Sequence, residues 1–274
     1  MSIRNVTFRS HRHVPLAASI LTCLVAAPLH AATGSASAAD VNVNVNVLGV
    51  AQLDVDPQVP VGFDNAVEPT HQQDSLPTLD YGGAVIHLST GVVSTEADYE
   101  PEQGFAGAGA SVRIEDFDLS ALSLLGDGLV SLGANTIQTT SLVTGYCLPS
   151  GRTAGRSLDL DDITFYNGFD AGNLDPGGPA GTDRNVVFDG LHLSVLGVDV
   201  PDLPTNPAPN TAIDLASLGI IGATLVLNEQ AIGGDGIMSS SIATNALHFS
   251  IDSVGLITSD VVLARSESQL SCAQ

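Results

Sequence analysis

Four histidines lie beyond the first forty residues: His71, His87, His192 and His248. Three share a context, Ile86-His87-Leu88, Leu191-His192-Leu193 and Leu247-His248-Phe249. In a β-strand such a histidine points away from its apolar flanks. On neighbouring strands in register, His87, His192 and His248 would gather three imidazoles able to hold Zn²⁺ or Cu²⁺. Solvent-facing strand histidines are the plainer reading of the same pattern. Carboxylates supply a second candidate. The Gly/Pro-rich segment 168–185 carries Asp170, Asn173, Asp175 and Asp183, and SLDLDDI carries Asp159, Asp161 and Asp162. Oxygen donors on such a loop suit a structural Ca²⁺. Their spacing matches neither a twelve-residue EF-hand loop nor a nonapeptide repeat, and turn chemistry explains the same residues. Beyond that calcium, no cofactor is implied.

Covalent catalysis finds no support. Serines are abundant, but no Gly-x-Ser-x-Gly elbow occurs. Adjacent acids such as Glu115 and Asp116, or Asp161 and Asp162, are expected of any chain with 30 acidic residues. They carry little information about glycoside hydrolysis. The expectation is a non-enzymatic protein.

The amino terminus sets the compartment. Arg4, Arg9 and Arg12 precede an apolar run from Val14 to Ala27, and small residues follow. That is the layout of a secretory signal peptide, 1–31, with cleavage between 31 and 39. The run is shorter than the ~20 residues of a spanning helix, so no membrane insertion is expected after processing. The expected location is extracellular, cell-surface or periplasmic. Processing leaves five arginines against 30 acids, a net charge of −25. Such a surface repels nucleic acid and anionic membrane faces. Cys23 departs with the signal, leaving Cys147 and Cys272. Two cysteines in an exported chain commonly pair, which would clip the carboxyl end to mid-chain and add ~5 kcal/mol in the chain-entropy model. Two free thiols are the alternative.

The elements that must carry these residues read as strands. Asp40–Val50 (DVNVNVNVLGV) alternates at period two, with Val41, Val43, Val45 and Val47 on one side. At the start of a mature chain it would be an edge strand. As a donor strand it could insert into a second copy, so self-association through this segment is a candidate partner mode. Ala51–Asp80 is broken by Pro57, Pro60, Pro69 and Pro77 and reads as loop or irregular edge. Thr95–Phe105 reads as acidic turn. Ala84–Val93, Gly107–Asp118, Ala134–Cys147, Val186–Val200, Ala223–Asn228, Ala246–Val254 and Val261–Ser271 have strand character. In Ser120–Leu132 a short helix competes. The sum is one all-β domain, 40–274, a Greek-key-like antiparallel β-sandwich with long Pro/Gly/Asp-rich loops. A parallel β-solenoid is the alternative, weakened by the lack of a fixed period.

The runs TLVLNEQ (Thr224–Gln230), TNALHFSI (Thr244–Ile251) and SDVVLARSESQLSC (Ser259–Cys272), with the lone mid-chain Cys147, resemble the choice-of-anchor P family. The resemblance implies a secreted or surface domain. The family pattern adds an anchoring tail, and after Cys272 only Ala273 and Gln274 follow in this sequence. A structural or matrix role is expected, with a strand-donating filament subunit and an unrecognised hydrolase as alternatives.

Overall fold

A computed structural model describes residues 32–47, 51–82, 86–101, 105–121, 130–146, 168–171, 186–195, 197–235, 238–253 and 257–272. They form two antiparallel sheets packed face to face. The seven-stranded sheet holds β1 (Ala32–Val47), β2 (Ala51–Val55), β3 (Val61–Ala66), β14 (Thr211–Ile213), β15 (Ala223–Gly234), β16 (Ser239–Ser253) and β17 (Ile257–Cys272). The ten-stranded sheet holds β4 (Thr70–Leu76), β5 (Leu79–Gly82), β6 (Ile86–Thr90), β7 (Val93–Pro101), β8 (Phe105–Ala121), β9 (Val130–Tyr146), β10 (Gly168–Ala171), β11 (Val186–Asp189), β12 (His192–Val195) and β13 (Val198–Asp199). The expected sandwich is observed, and the solenoid is not.

The valine-rich strand is an interior strand, which corrects the edge expectation. Val41–Val47 lies between β17 and β2, with Val43 opposite Val261 on one side and Val55 on the other. Its four valines are buried because the opposite sheet needs an apolar face. The strand also starts earlier than Asp40, since Ala32–Ala39 pairs with Arg265–Cys272. Strand β17 thus returns from the far end of the sequence to lie beside the first strand, the closure of a Greek-key-like order.

Two segments read as irregular are strands. Pro57 and Pro60 sit between β2 and β3, while Pro69 and Pro77 flank β4. The prolines therefore separate short strands instead of abolishing them. Strand β7 occupies the segment read as acidic turn. Val93, Thr95, Ala97 and Tyr99 face the core and Glu96, Asp98 and Glu100 face out. The segment 168–185 begins with β10, and residues 172–185 lie outside the described residues, as do 122–129 of the helix candidate.

A crease crosses both sheets. The ladders of β1, β17, β16 and β15 each skip one position, where Asp40, Ala264, Ala246 and Asn228 lie across from one another. Ala264 and Asn228 have φ of 52°. A left-handed residue breaks the pleat, so the inward face changes parity there. On β17 the buried residues are Ser259, Val261 and Leu263 on one side, then Ala264, Ser266, Ser268, Leu270 and Cys272. Strands β8 and β9 skip Asp116 (φ 47°) and Asn135 in the same way.

Candidate functional site

Among the described residues, one group of side chains has the composition of a metal site: His71, Glu96 and Asp98. It sits on the outer face of the ten-stranded sheet. Strands β4 and β7 pair so that His71 lies opposite Asp98, and Gln73 opposite Glu96. Period-two alternation then brings all four side chains to the same face. His71 Nδ1 hydrogen-bonds Asp98 Oδ1 and lies 3.8 Å from Glu96 Oε1. Its Nε2 lies 3.3 Å from Gln73 Oε1, an acceptor for the ring N–H. The hydrogen bond to Asp98, followed by that to Gln73 and the Asp98 charge, raises the His71 pKa above the usual histidine value. The sign follows. Protonated His71 favours the fold below the ordinary histidine pKa, and that contribution fades as pH rises through the raised value.

Beside this group lies an open trough of about 550 Å³, bounded by Glu96, Asp98 and Glu100 of β7 and by Leu142 and Thr144 of β9. Its floor is the bare backbone of Gly107 and Gly109 on β8. A Cβ at Gly107 would come no closer than 3.8 Å to any neighbour, and at Gly109 no closer than 3.4 Å. Packing therefore does not demand glycine at either position. Their effect is to keep the floor clear, as at sites where something approaches a strand backbone.

The other candidates are dispersed. His87 hydrogen-bonds Asp80 at 3.1 Å on the outer face of the ten-stranded sheet. His192 lies on the same sheet, separated from β6 by β8 and β9, where its ring covers Gly133. His248 lies on the other sheet, between Glu229 (3.1 Å) and Asp260 (2.9 Å). The three imidazoles do not converge, which corrects the shared-ion expectation. Each faces away from its apolar flanks because the flanks supply the core. Of the calcium candidates, Asp170 belongs to β10, where its backbone pairs with Thr144. Asn173, Asp175, Asp183, Asp159, Asp161 and Asp162 lie outside the described residues. Cys272 is disulfide-bonded, and Cys147 lies outside the described residues.

Sequence reasoning missed His71 because its strand, THQQDSL, is polar on both faces. The one usable signal was a histidine and a glutamine two residues apart, ahead of acids spaced by two at Glu96, Asp98 and Glu100. No described helix is long and apolar enough to cross a membrane. No family model and no curated protein matches the chain.

Proposed function

We propose that the chain is an exported, non-enzymatic structural module whose task is to hold a rigid, strongly acidic surface outside the cytoplasm. The observation that carries this reading is the strand length. Strands β1, β8, β9, β16 and β17 each span 15 to 17 residues. At ~3.3 Å per residue they make a body about 50 Å long. Long ladders, each skipping a single position at the crease, resist bending and suit a spacer or matrix element. The signal-peptide layout, the choice-of-anchor resemblance and the two cysteines that remain beyond the signal, Cys147 and Cys272, support the same reading. Donation of Val41–Val47 to a neighbour stands second, because the strand would first have to leave both β17 and β2.

The test is fractionation of the native host followed by activity panels on the secreted protein. The expected result is export and no turnover on ester, glycoside or peptide substrates. Cytoplasmic retention, or saturable turnover on any panel, overturns the reading. Light scattering after size exclusion adds the assembly state: polymers lost on deleting Asp40–Val47 would promote strand donation to first place.

A further inference from the structure

We propose that His71, Glu96 and Asp98 bind a divalent first-row transition ion, Zn²⁺ being the best match. The site stands apart from the structural role above and survives its failure. One imidazole nitrogen and two carboxylate oxygens form a mixed donor set of the kind zinc accepts, with a fourth position left for water or a further ligand. The three donor atoms lie within 4.8 Å of one another. Donors on a tetrahedral ion at ~2.1 Å stand about 3.4 Å apart. The 3.8 Å between His71 Nδ1 and Glu96 Oε1 must close by a few tenths of an ångström, and the His71–Asp98 contact must open. Both are small rotations of side chains about half exposed, on a backbone fixed by the β4–β7 ladder.

Two further features fit a metal ligand. An ion would displace the Nδ1 proton now shared with Asp98, and Gln73 Oε1 would then hold the remaining Nε2 hydrogen, leaving Nδ1 to face the ion between the two carboxylates. Metal-bound histidines are held by such a partner on the other ring nitrogen. The trough over Gly107 and Gly109 keeps one side of the cluster open to an incoming ligand. The acidic surface also concentrates cations near it, since the chain carries a net charge of −22. Calcium fits less well, because it takes six to eight oxygen donors and this site offers two carboxylates and a nitrogen.

The test uses tag-free mature protein, titrated with Zn²⁺ by calorimetry while the histidine ring signals are followed by ¹⁵N NMR. The expected result is one ion per chain, with the His71 signals shifting and those of His248 unmoved. His71→Ala and Asp98→Asn should each abolish that event, His248→Ala should leave it, and Gln73→Ala should weaken it by about tenfold. All four positions face outward, and an unchanged thermal midpoint confirms that each variant is folded. Absence of saturable Zn²⁺ binding, binding that persists in His71→Ala, or Ca²⁺ shifting the His71 signals as strongly as Zn²⁺ overturns the proposal.

Discussion

The two halves of the sandwich, on either side of the crease, are built from different chemistry. On one side the facing residues are large and aliphatic or aromatic: Val41, Val43, Val45, Leu247, Phe249, Val261 and Leu263 from one sheet, with Leu119 and Leu132 from the other. On the far side the buried side chains of β17 are Ala264, Ser266, Ser268, Leu270 and Cys272, and those of β9 are Ile137, Thr139, Ser141 and Val143, so hydroxyls enter the core there. There the sheets are joined by hydroxyls: Thr139 to Ser266 at 3.3 Å and Ser141 to Ser268 at 2.9 Å. Ser268 also donates to the Ser141 carbonyl at 3.0 Å. Side chains this short bridge two layers only if the layers approach more closely than the ~10 Å usual for stacked sheets. Bulky groups also enter this half, Tyr99 among them. Tyr99 is fully buried among Ala106, Ala108, Val143, Ile242 and Leu270, and its hydroxyl donates to the Ala32 carbonyl at 2.6 Å. The same fold is thus held by apolar volume at one end and by hydrogen bonds and close approach at the other.

If that contrast is right, the two ends should respond differently to mutation. The largest effect belongs to the apolar end. Phe249→Ala should cost about 3–5 kcal/mol, read as a fall in urea midpoint at constant slope, because the cavity has no route to collapse. A cost below that of any serine variant would erase the distinction. Next comes Gly34→Ala, since a Cβ there would sit 2.1 Å from the Tyr99 ring. The ring is enclosed, and the expected loss is about 1–3 kcal/mol by the same assay. A neutral result would mean that Tyr99 can move.

The serine bridge gives a finer test. Ser268→Ala leaves the Ser141 hydroxyl and carbonyl without this partner and should cost about 1–3 kcal/mol. Ser141→Ala should cost less, because Ser268 still donates to the Ser141 carbonyl. Equal losses in the two variants, with full additivity in the double mutant, would remove the inter-sheet bond from the account.

The smallest effect concerns Asp40, on the crease itself. It is 1% exposed, its Oδ1 accepts from the Gln58 N–H at 2.9 Å, and its Oδ2 is buried without a partner. Burial raises its pKa above the ordinary aspartate value of 3.8. The folded state therefore holds the proton more tightly than the unfolded chain. Below pH 3.8 this group costs nothing, and the penalty grows as pH rises through the raised value. Asp40→Asn should accordingly gain on the wild type between pH 3.5 and pH 7, by denaturant midpoints. A difference independent of pH would show that the carboxylate is not strained by burial.

How much of this was legible depends on the strand. Val41–Val47 announces itself because its inward residues are apolar and its outward ones polar. The same rule holds for β7, but the inward series Val93, Thr95, Ala97, Tyr99 is too mild to stand out among acids. Strand β4 carries no periodic signal at all, so neither it nor His71 could be placed before the ladder with β7 was known. The crease was invisible for a different reason. A left-handed asparagine at 228 is ordinary, but a left-handed alanine at 264 has no signature in residue type. The apolar–His–apolar triplets gave the orientation of each histidine correctly. They could not give its sheet, because alternation reports a face and not a neighbour.

The pairing of β1 with β17 bears on how the molecule comes to be made. Ala32 lies opposite Cys272, so the first described strand finds its partner at the far end of the sequence. A chain delivered amino end first holds its valine-rich strand unpartnered on that side until β17 arrives. During that interval the strand is an open, apolar template of the kind that recruits other chains. Closing so distant a contact is also slow. Assembly is therefore gated by the arrival of β17, and the expected hazard lies in the wait before it, with the finished sandwich covering the strand on both sides.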